Sequence, residues 1–591
     1  MPASALPRIP GRRTPHSSLP GQVRTAARLT RLLPLLLCCA ALPARAWVDT
    51  ATQALPLADV QKQSAAPDSM PLHVALSLKL QNAYQLQSFL EGTHTAGNPA
   101  YGSKMTPQQF TAAYAPSAAQ AQLVANYLKS YGFQNVSIAP NRLLVTADGT
   151  AALAQAAFNT PIALVQLAAA SVYANTKTAQ VPDTLGDVVL AVLGLQNAIH
   201  PVLPKLQARS TTSLSLGGAG TVQPLDLKDF PIAYDAQSAP TAANTTYAIF
   251  MDGDVSGILS DLRQNETANG LPAAPVDIVY TDVKGPVDSG GDPEWDLDSQ
   301  SSRGIAGAVK TMIWYAPSTL DTDALILTAF NRWVSDDLAI NANSSFGDCE
   351  VGARYSGEEK ADDQVFMEAA AQGQTFFNAI GDSGAGCSIG LLPNGIPDGG
   401  LPEQGYPAAS PYVVAVGGTT LYTNADFTYA REMAWDATGG GISLTEPQPS
   451  WQHGVVGVLS TELNRKACPD MAMDAAADSG ANLIVAGAAA TYGGTSLASP
   501  LATGTWARLE SASGNKLGFA APILYTQEAK AVVEGSYATS ITGFHDVTTG
   551  FNGLYAAKKG WDYTTGVGTF DICVAAGLLA PASGKNYCAA P

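Results

Sequence analysis

From residue 245 onward, short apolar runs recur at residues 247–251, 277–280, 311–314, 339–346, 375–380 and 413–416, and stretches with helical spacing separate them. This alternation leaves the chain few choices. A run that is apolar throughout is buried on both faces, and successive buried strands joined by helices cross over and run parallel. The predicted fold class is therefore α/β, a mainly parallel sheet with flanking helices on both sides.

The chain has 591 residues, 46% apolar and 14% charged, which suits a globular protein with more than one core. After a polar stretch at 47–71, Val74, Leu76, Leu78 and Leu80 alternate as in a strand, and Leu86, Phe89 and Leu90 have helical spacing. A smaller separate unit is expected over 72–195. Residues 196–224 hold Pro201, Pro204, a serine- and threonine-rich run and Gly217-Gly218-Ala219-Gly220, a linker composition open to cleavage near 210–219. Residues 225–591 carry the sheet.

The first 31 residues contain Arg8, Arg12, Arg13, Arg24, Arg28 and Arg31 and no acidic residue. An apolar run at 32–42 follows, too short to span a bilayer, and then Ala44-Arg45-Ala46, which has the form of a signal-peptidase site. Residues 1–46 read as a signal peptide, so a secreted protein without stable membrane association is expected. Beyond it lie Cys349, Cys387, Cys468, Cys573 and Cys588. Five thiols permit several arrangements. Cys349 and Cys387 each follow a strand-like run and are expected to pair, as are Cys573 and Cys588, leaving Cys468 free.

Three segments carry chemistry. Gly493-Gly494-Thr495-Ser496-Leu497-Ala498 displays a serine between a glycine turn and an apolar helical run, as a nucleophile needs. Glu294 and Asp298 stand four apart, which on a helix sets both carboxyls on one face; their repulsion raises a pKa, as a general base with a proton-sharing partner requires. Asp382 ends the apolar run 375–380 at Gly381-Asp382-Ser383-Gly384, and strand ends of α/β sheets are where sites are built.

These segments together resemble the sedolisins, the serine-carboxyl peptidases, which carry Glu-x-x-x-Asp, Ser-Gly-Asp-x-Gly and Ser-Gly-Thr-Ser in that order. Their surroundings are similar to the bacterial, pseudomonalisin-like branch. The resemblance implies a subtilisin-like catalytic fold with Ser496 as nucleophile, Glu294 as general base, Asp298 as its proton-sharing partner and Asp382 as the acid of the oxyanion hole. Ile380 and Gly493 depart from the family, which usually has serine at the first and often at the second. Residues 72–195, with Tyr101-Gly102, Tyr131-Gly132-Phe133 and Leu143-Leu144-Val145, resemble the α+β activation domain of sedolisin zymogens, which implies an intramolecular inhibitor. The implied function is a secreted acid endopeptidase, a monomer acting on proteins or peptides. Acidification is expected to trigger self-cleavage by removing ion pairs between the two parts.

The C-terminal region adds a second match. Asp546-Val547-Thr548-Thr549-Gly550 and Gly560-Trp561-Asp562 resemble the family's site for one structural calcium ion, which implies side-chain ligands from Asp546 and Asp562 and carbonyl ligands from Val547, Lys558 and Gly560. The family normally has glycine where Lys558 stands.

The alternatives are a neutral, histidine-dependent subtilisin-type peptidase and an inactive sedolisin-like binding protein. The first needs a histidine base. His94, in Gly92-Thr93-His94, superficially resembles a subtilisin histidine segment but precedes the sheet region, and His453 and His545 read as loop residues. The second needs one of the four site residues replaced, and none is. A formal net charge of −17 excludes nucleic acid as a partner.

Overall fold

Every apolar run singled out beyond residue 245 contributes a strand to one eight-stranded sheet. Its order is Val276–Tyr280, Thr311–Ala316, Thr246–Phe250, Asn341–Ser344, Thr375–Ala379 and Val414–Thr423, with Met471–Asp474 and Tyr429–Ala434 both paired to the last of these. All neighbours are parallel except Val414–Thr423 and Tyr429–Ala434. Burial on both faces explains the apolar character of Thr246–Phe250 and Thr311–Ala316, whereas the edge strand Val276–Tyr280 is only partly buried and Asn341–Ser344 buries two asparagines. Phe377 joins Leu497 and Leu501 in one core, while its neighbour Phe376 joins Phe330 and Phe366 in another.

The structure is a computed structural model that describes residues 46–54, 63–167, 170–199, 203, 207–208, 219–286, 290–387, 402–455, 464–580 and 587–588. The expected signal peptide, apart from Ala46, lies outside the described residues, as does most of the expected cleavage segment. Among the described residues no helix is long and apolar enough to cross a membrane. Cys349 pairs with Cys387 and Cys573 with Cys588, and Cys468 is free and buried.

The upstream unit is a four-stranded antiparallel sheet in the order Gln134–Ile138, Leu144–Thr150, Pro71–Leu78, Val189–Leu193. Helix Ala118–Tyr131 starts from a capping box made by Ser117 and Gln120 and buries Val124 and Leu128 against that sheet with Val74, Leu76 and Leu78. This unit is wider than 72–195. Trp47–Asp49 pairs with Gln180–Pro182, and Gln63–Ala65 pairs with Ile162–Leu167. Three-residue strands are too short to show an alternation, so the segment 47–71 reads as merely polar in the sequence.

The second face of the upstream sheet lies on the catalytic part. Ala75, Leu144, Ala191 and Leu193 pack into the same core as Phe330 and Phe366, from helices Asp323–Asp336 and Glu358–Gln372. The polar contacts across this interface are hydrogen bonds. Gly194 N–H donates to Asp323 Oδ1 at 3.0 Å, and Asn141 Nδ2 donates to Glu368 Oε2 at 2.7 Å. Gln364 Nε2 donates to Ser77 Oγ at 3.0 Å. Among the described residues no ion pair joins the two parts. In place of direct ion pairs, Asp323 and Glu368 are desolvated and accept from neutral donors, and the charge of Lys104 acts across the interface on Glu510 and Asp337 without a direct contact.

Candidate active site

Two helices bring the chemistry together. Asp292–Ala306 carries Glu294 and Asp298 one turn apart, and Thr495–Ser513 carries Ser496 in its first turn. They pack closely because residue 504 is glycine: a Cβ there would fall 2.5 Å from the Ser302 carbonyl oxygen. Asp382 follows strand Thr375–Ala379 and approaches the start of the serine helix. Gly494 has φ +137°, and a Cβ on it would lie 2.7 Å from Asp382 Oδ2, so both the turn and the carboxyl require glycine. Ile380, where the family's serine is missing, fills an apolar pocket with Ala408, Ala415 and Cys468.

Glu294, Asp298 and Ser496 are fully buried, whereas Asp382 is partly buried with its Oδ2 enclosed. Burial first, and then the charge of Asp298, pushes the Glu294 carboxyl well above its usual range; Asp382 adds a smaller repulsion. Burial likewise raises Asp298, while the Ser345 hydrogen bond and the nearby Asn343 amide pull it back. Ser496 is near enough to ease ionisation of Glu294, yet its Oγ has no fully aligned partner. Loose alignment of this kind is common before substrate binds. The pair cannot readily carry two charges, an arrangement suited to sharing a proton between its two carboxyls.

Asp382 is anchored on one oxygen only. Oδ1 accepts from the Thr495 N–H and from Thr495 Oγ1, both at 2.8 Å, and Gly381 N–H donates to that hydroxyl at 3.0 Å. Oδ2 is buried and has no hydrogen-bond partner. Burial raises this carboxyl to about 6, against the pull of the Thr495 bonds. Protonated, it presents a donor beside the serine.

Among the described residues no histidine acts on Glu294, Asp298 or Asp382. His94 sits with its ring edge-on to Trp451, 5.2 Å between centroids, and His545 stacks on Tyr429 at 3.7 Å. Two neighbours of the pair escape sequence reading. Ser345 donates to Asp298 Oδ1 at 2.6 Å, and Asn343 accepts from Ser499 Oγ at 2.6 Å with its amide nitrogen left buried. Their signal is a polar string, Asn343-Ser344-Ser345, closing an otherwise apolar run.

In the C-terminal loop, Asp546 and Asp562 face each other, and burial raises both; repulsion from Asp562 adds to the shift of Asp546. Asp562 Oδ1 accepts from the Thr564 and Thr565 N–H groups at 2.8 and 2.9 Å, and Gly560 N–H donates to Asp546 Oδ1 at 3.1 Å. A third carboxyl, Glu528, raised to about 7 by burial, is repelled by both aspartates. Three mutually repelling oxygen donors with no ammonium bonded among them suit a hard cation.

Comparison with known proteins gives three findings. A family described as the pro-kumamolisin activation domain matches residues 58–198. Sedolisin from Pseudomonas sp. (strain 101) is 41% identical over 554 residues, spanning 89% of this chain and 91% of that protein, and xanthomonalisin from Xanthomonas sp. (strain T-22) is 39% identical over 85% of this chain and 65% of its own length. A solved structure of Pseudomonas sedolisin, described as a serine-carboxyl proteinase complexed with two molecules of pseudo-iodotyrostatin, is 41% identical and superposes over 62% of this chain and all of that one with a TM-score of 0.56.

Proposed function

The chain belongs to the sedolisin family of serine-carboxyl peptidases, and from that premise we propose that it is a secreted acid endopeptidase whose reaction is carried by Ser496, Glu294, Asp298 and Asp382. The observation that carries this reading is the meeting of a serine at a helix start with a buried carboxyl pair and a half-anchored, partly buried carboxyl, with no histidine acting on them. Glu294 takes the Ser496 proton as Oγ attacks a peptide carbonyl, and Asp298 holds the shared proton so that Glu294 stays able to accept. Glu294 then returns its proton to the leaving amine, and water releases the acyl group by the same steps in reverse order. Protonated Asp382 donates from Oδ2 to the oxyanion, in place of the amide or asparagine donor of other serine peptidases.

Asp382 gives the reaction its acidic range. Its donating form is lost as pH rises through about 6, so turnover falls above that value. At the acid end, activity requires that the pair has released one of its protons.

The zymogen reading has its own support. Gln207–Ala208 of the linker pairs antiparallel with Tyr492–Gly493, on the strand that leads into the serine helix. Cleavage is proposed near 210–219, with the upstream unit as intramolecular inhibitor. Asp546 and Asp562, with the carbonyls of Val547, Lys558 and Gly560, are the proposed holders of a calcium ion, which would neutralise the loop's charge repulsion. Hydrolysis of a peptide library in acidic buffer by the Ser496→Ala and Glu294→Gln enzymes tests the assignment: both are expected to be inert, and an active Glu294→Gln enzyme would remove Glu294 from the mechanism.

A further inference from the structure

A proton shared by two buried carboxyls is useful only if it sits on the right oxygen, and the side chains around Asp298 divide its two oxygens. Ser345 has one hydroxyl proton. It is donated to Asp298 Oδ1 at 2.6 Å, while the Ser496 carbonyl oxygen lies at a weaker 3.4 Å. Oδ1 is thereby an acceptor in either charge state of Asp298, whereas Oδ2 is buried with no hydrogen-bond partner. Ser345 closes strand Asn341–Ser344, is fully buried, and belongs to a different element from both carboxyls and from the nucleophile.

We propose that Ser345 is a positioning residue of the proton-sharing pair, whose hydroxyl occupies Oδ1 of Asp298 and so consigns the shared proton to Oδ2. This rests on the assignment of Glu294 as base. The remaining groups around the pair are accounted for: Asn343 faces Asp298 from the same strand, Ser496 faces Glu294 from the serine helix, and Asp382 is the further charge acting on Glu294. Ser345 eases ionisation of both members of the pair but is no partner of Asp382, whose bonds come from Thr495. Its loss is therefore one-sided. Both carboxyls hold their protons more tightly, and the acid limb of the kcat/KM profile moves upward while the alkaline limb stays.

The experiment measures kcat/KM against pH for the processed wild-type, Ser345→Ala, Ser345→Cys and Ser345→Thr enzymes, with Glu294→Gln as control. The expected shift of the acid limb in Ser345→Ala is up to about one pH unit, or roughly a tenfold loss well below the optimum, with little loss above it. Ser345→Thr, which keeps the hydroxyl, restores the limb, and the near-isosteric Ser345→Cys, a weaker donor, falls between even if the alanine enzyme does not fold. A uniform scaling of the whole profile, with Glu294→Gln inactive, overturns the positioning role and leaves the base assignment standing. An active Glu294→Gln enzyme overturns both.

Discussion

The protein buries carboxyls in two places, under covers that differ in permanence. Glu294 and Asp298 are enclosed by helices and strands of the catalytic part itself. Asp323 and Glu368 are enclosed by the upstream unit, through Gly194, Gln196 and Asn141. Burial raises all four, Asp323 to about 7 and Glu368 to about 8. The consequences diverge because one cover stays and the other leaves. In the pair, the raised pKa is a fixed property of the catalyst. At the interface it is a linkage: carboxyls with higher pKa docked than released bind protons on docking, so they hold the zymogen together more firmly as pH falls. Asp323 and Glu368 therefore oppose acid activation, which directs attention to a group of the opposite sign.

The comparison breaks first at the permanent site. Ser496→Ala, Glu294→Ala and Asp382→Ala are each expected to lower kcat by about ten-thousandfold or more, and the triple variant should be little worse than the singles, because the residues act as a unit. Additive losses in single-turnover measurements would show three independent contributions instead. Asp382→Asn is more selective. It donates at every pH, so its residual activity should lose the decline that wild-type shows as pH rises through about 6.

A third set of carboxyls sharpens the contrast, since the proposed cover there is an ion. Asp546, Asp562 and Glu528 repel one another, and Asp562→Ala or a chelator is expected to lower the melting temperature of the processed enzyme by several degrees, the effect of losing a ligand that binds only the folded state. A melting temperature indifferent to calcium in wild-type would leave the loop as a turn held by hydrogen bonds such as those of Lys558, Gly560, Thr564 and Thr565.

How much of this the sequence carries depends on the range of the contacts. The sheet is legible because burial leaves apolar runs, and Glu294 and Asp298 are legible because four-residue spacing on a helix is local. Ser345 is not, because its partner Asp298 is 47 residues away and a lone serine at a strand end has no distinguishing pattern. Trp47–Asp49 and Gln63–Ala65 are too short to alternate, and they pair with distant strands, Gln180–Pro182 and Ile162–Leu167. The interface misleads the sequence reading for a different reason. Counting acidic residues suggests ion pairs, but packing sets neutral Gly194 and Asn141 donors against Asp323 and Glu368, a choice made by the docked surfaces and not by either segment alone.

The smallest effect concerns the removable cover. His94, at the end of helix Ala83–Thr93, packs its ring against Trp451 of the catalytic part, and its Nδ1 is buried without a partner. Burial lowers its pKa, against a smaller opposing effect of a backbone bond at Leu90, and no charged group is among the causes. The sign is opposite to that of Asp323. A histidine whose pKa is depressed when docked contributes fully above its free value of about 6.5, and that contribution fades as pH falls below it, where the released unit takes up the proton more readily. Acid thus loosens docking through His94 while Asp323 and Glu368 resist. His94→Phe keeps an apolar ring against Trp451 and removes the proton, so its zymogen should need a pH lower by up to about half a unit for half-maximal processing, a shift that corresponds to a threefold change in proton concentration. Asp323→Asn should make docking near neutral pH tighter and less dependent on pH. Processing followed by gel across a pH series checks both, and a His94→Phe midpoint identical to wild-type would move the trigger out of this interface and into the stability of the upstream unit itself, where His73 and Asp148 pair at 2.7 Å.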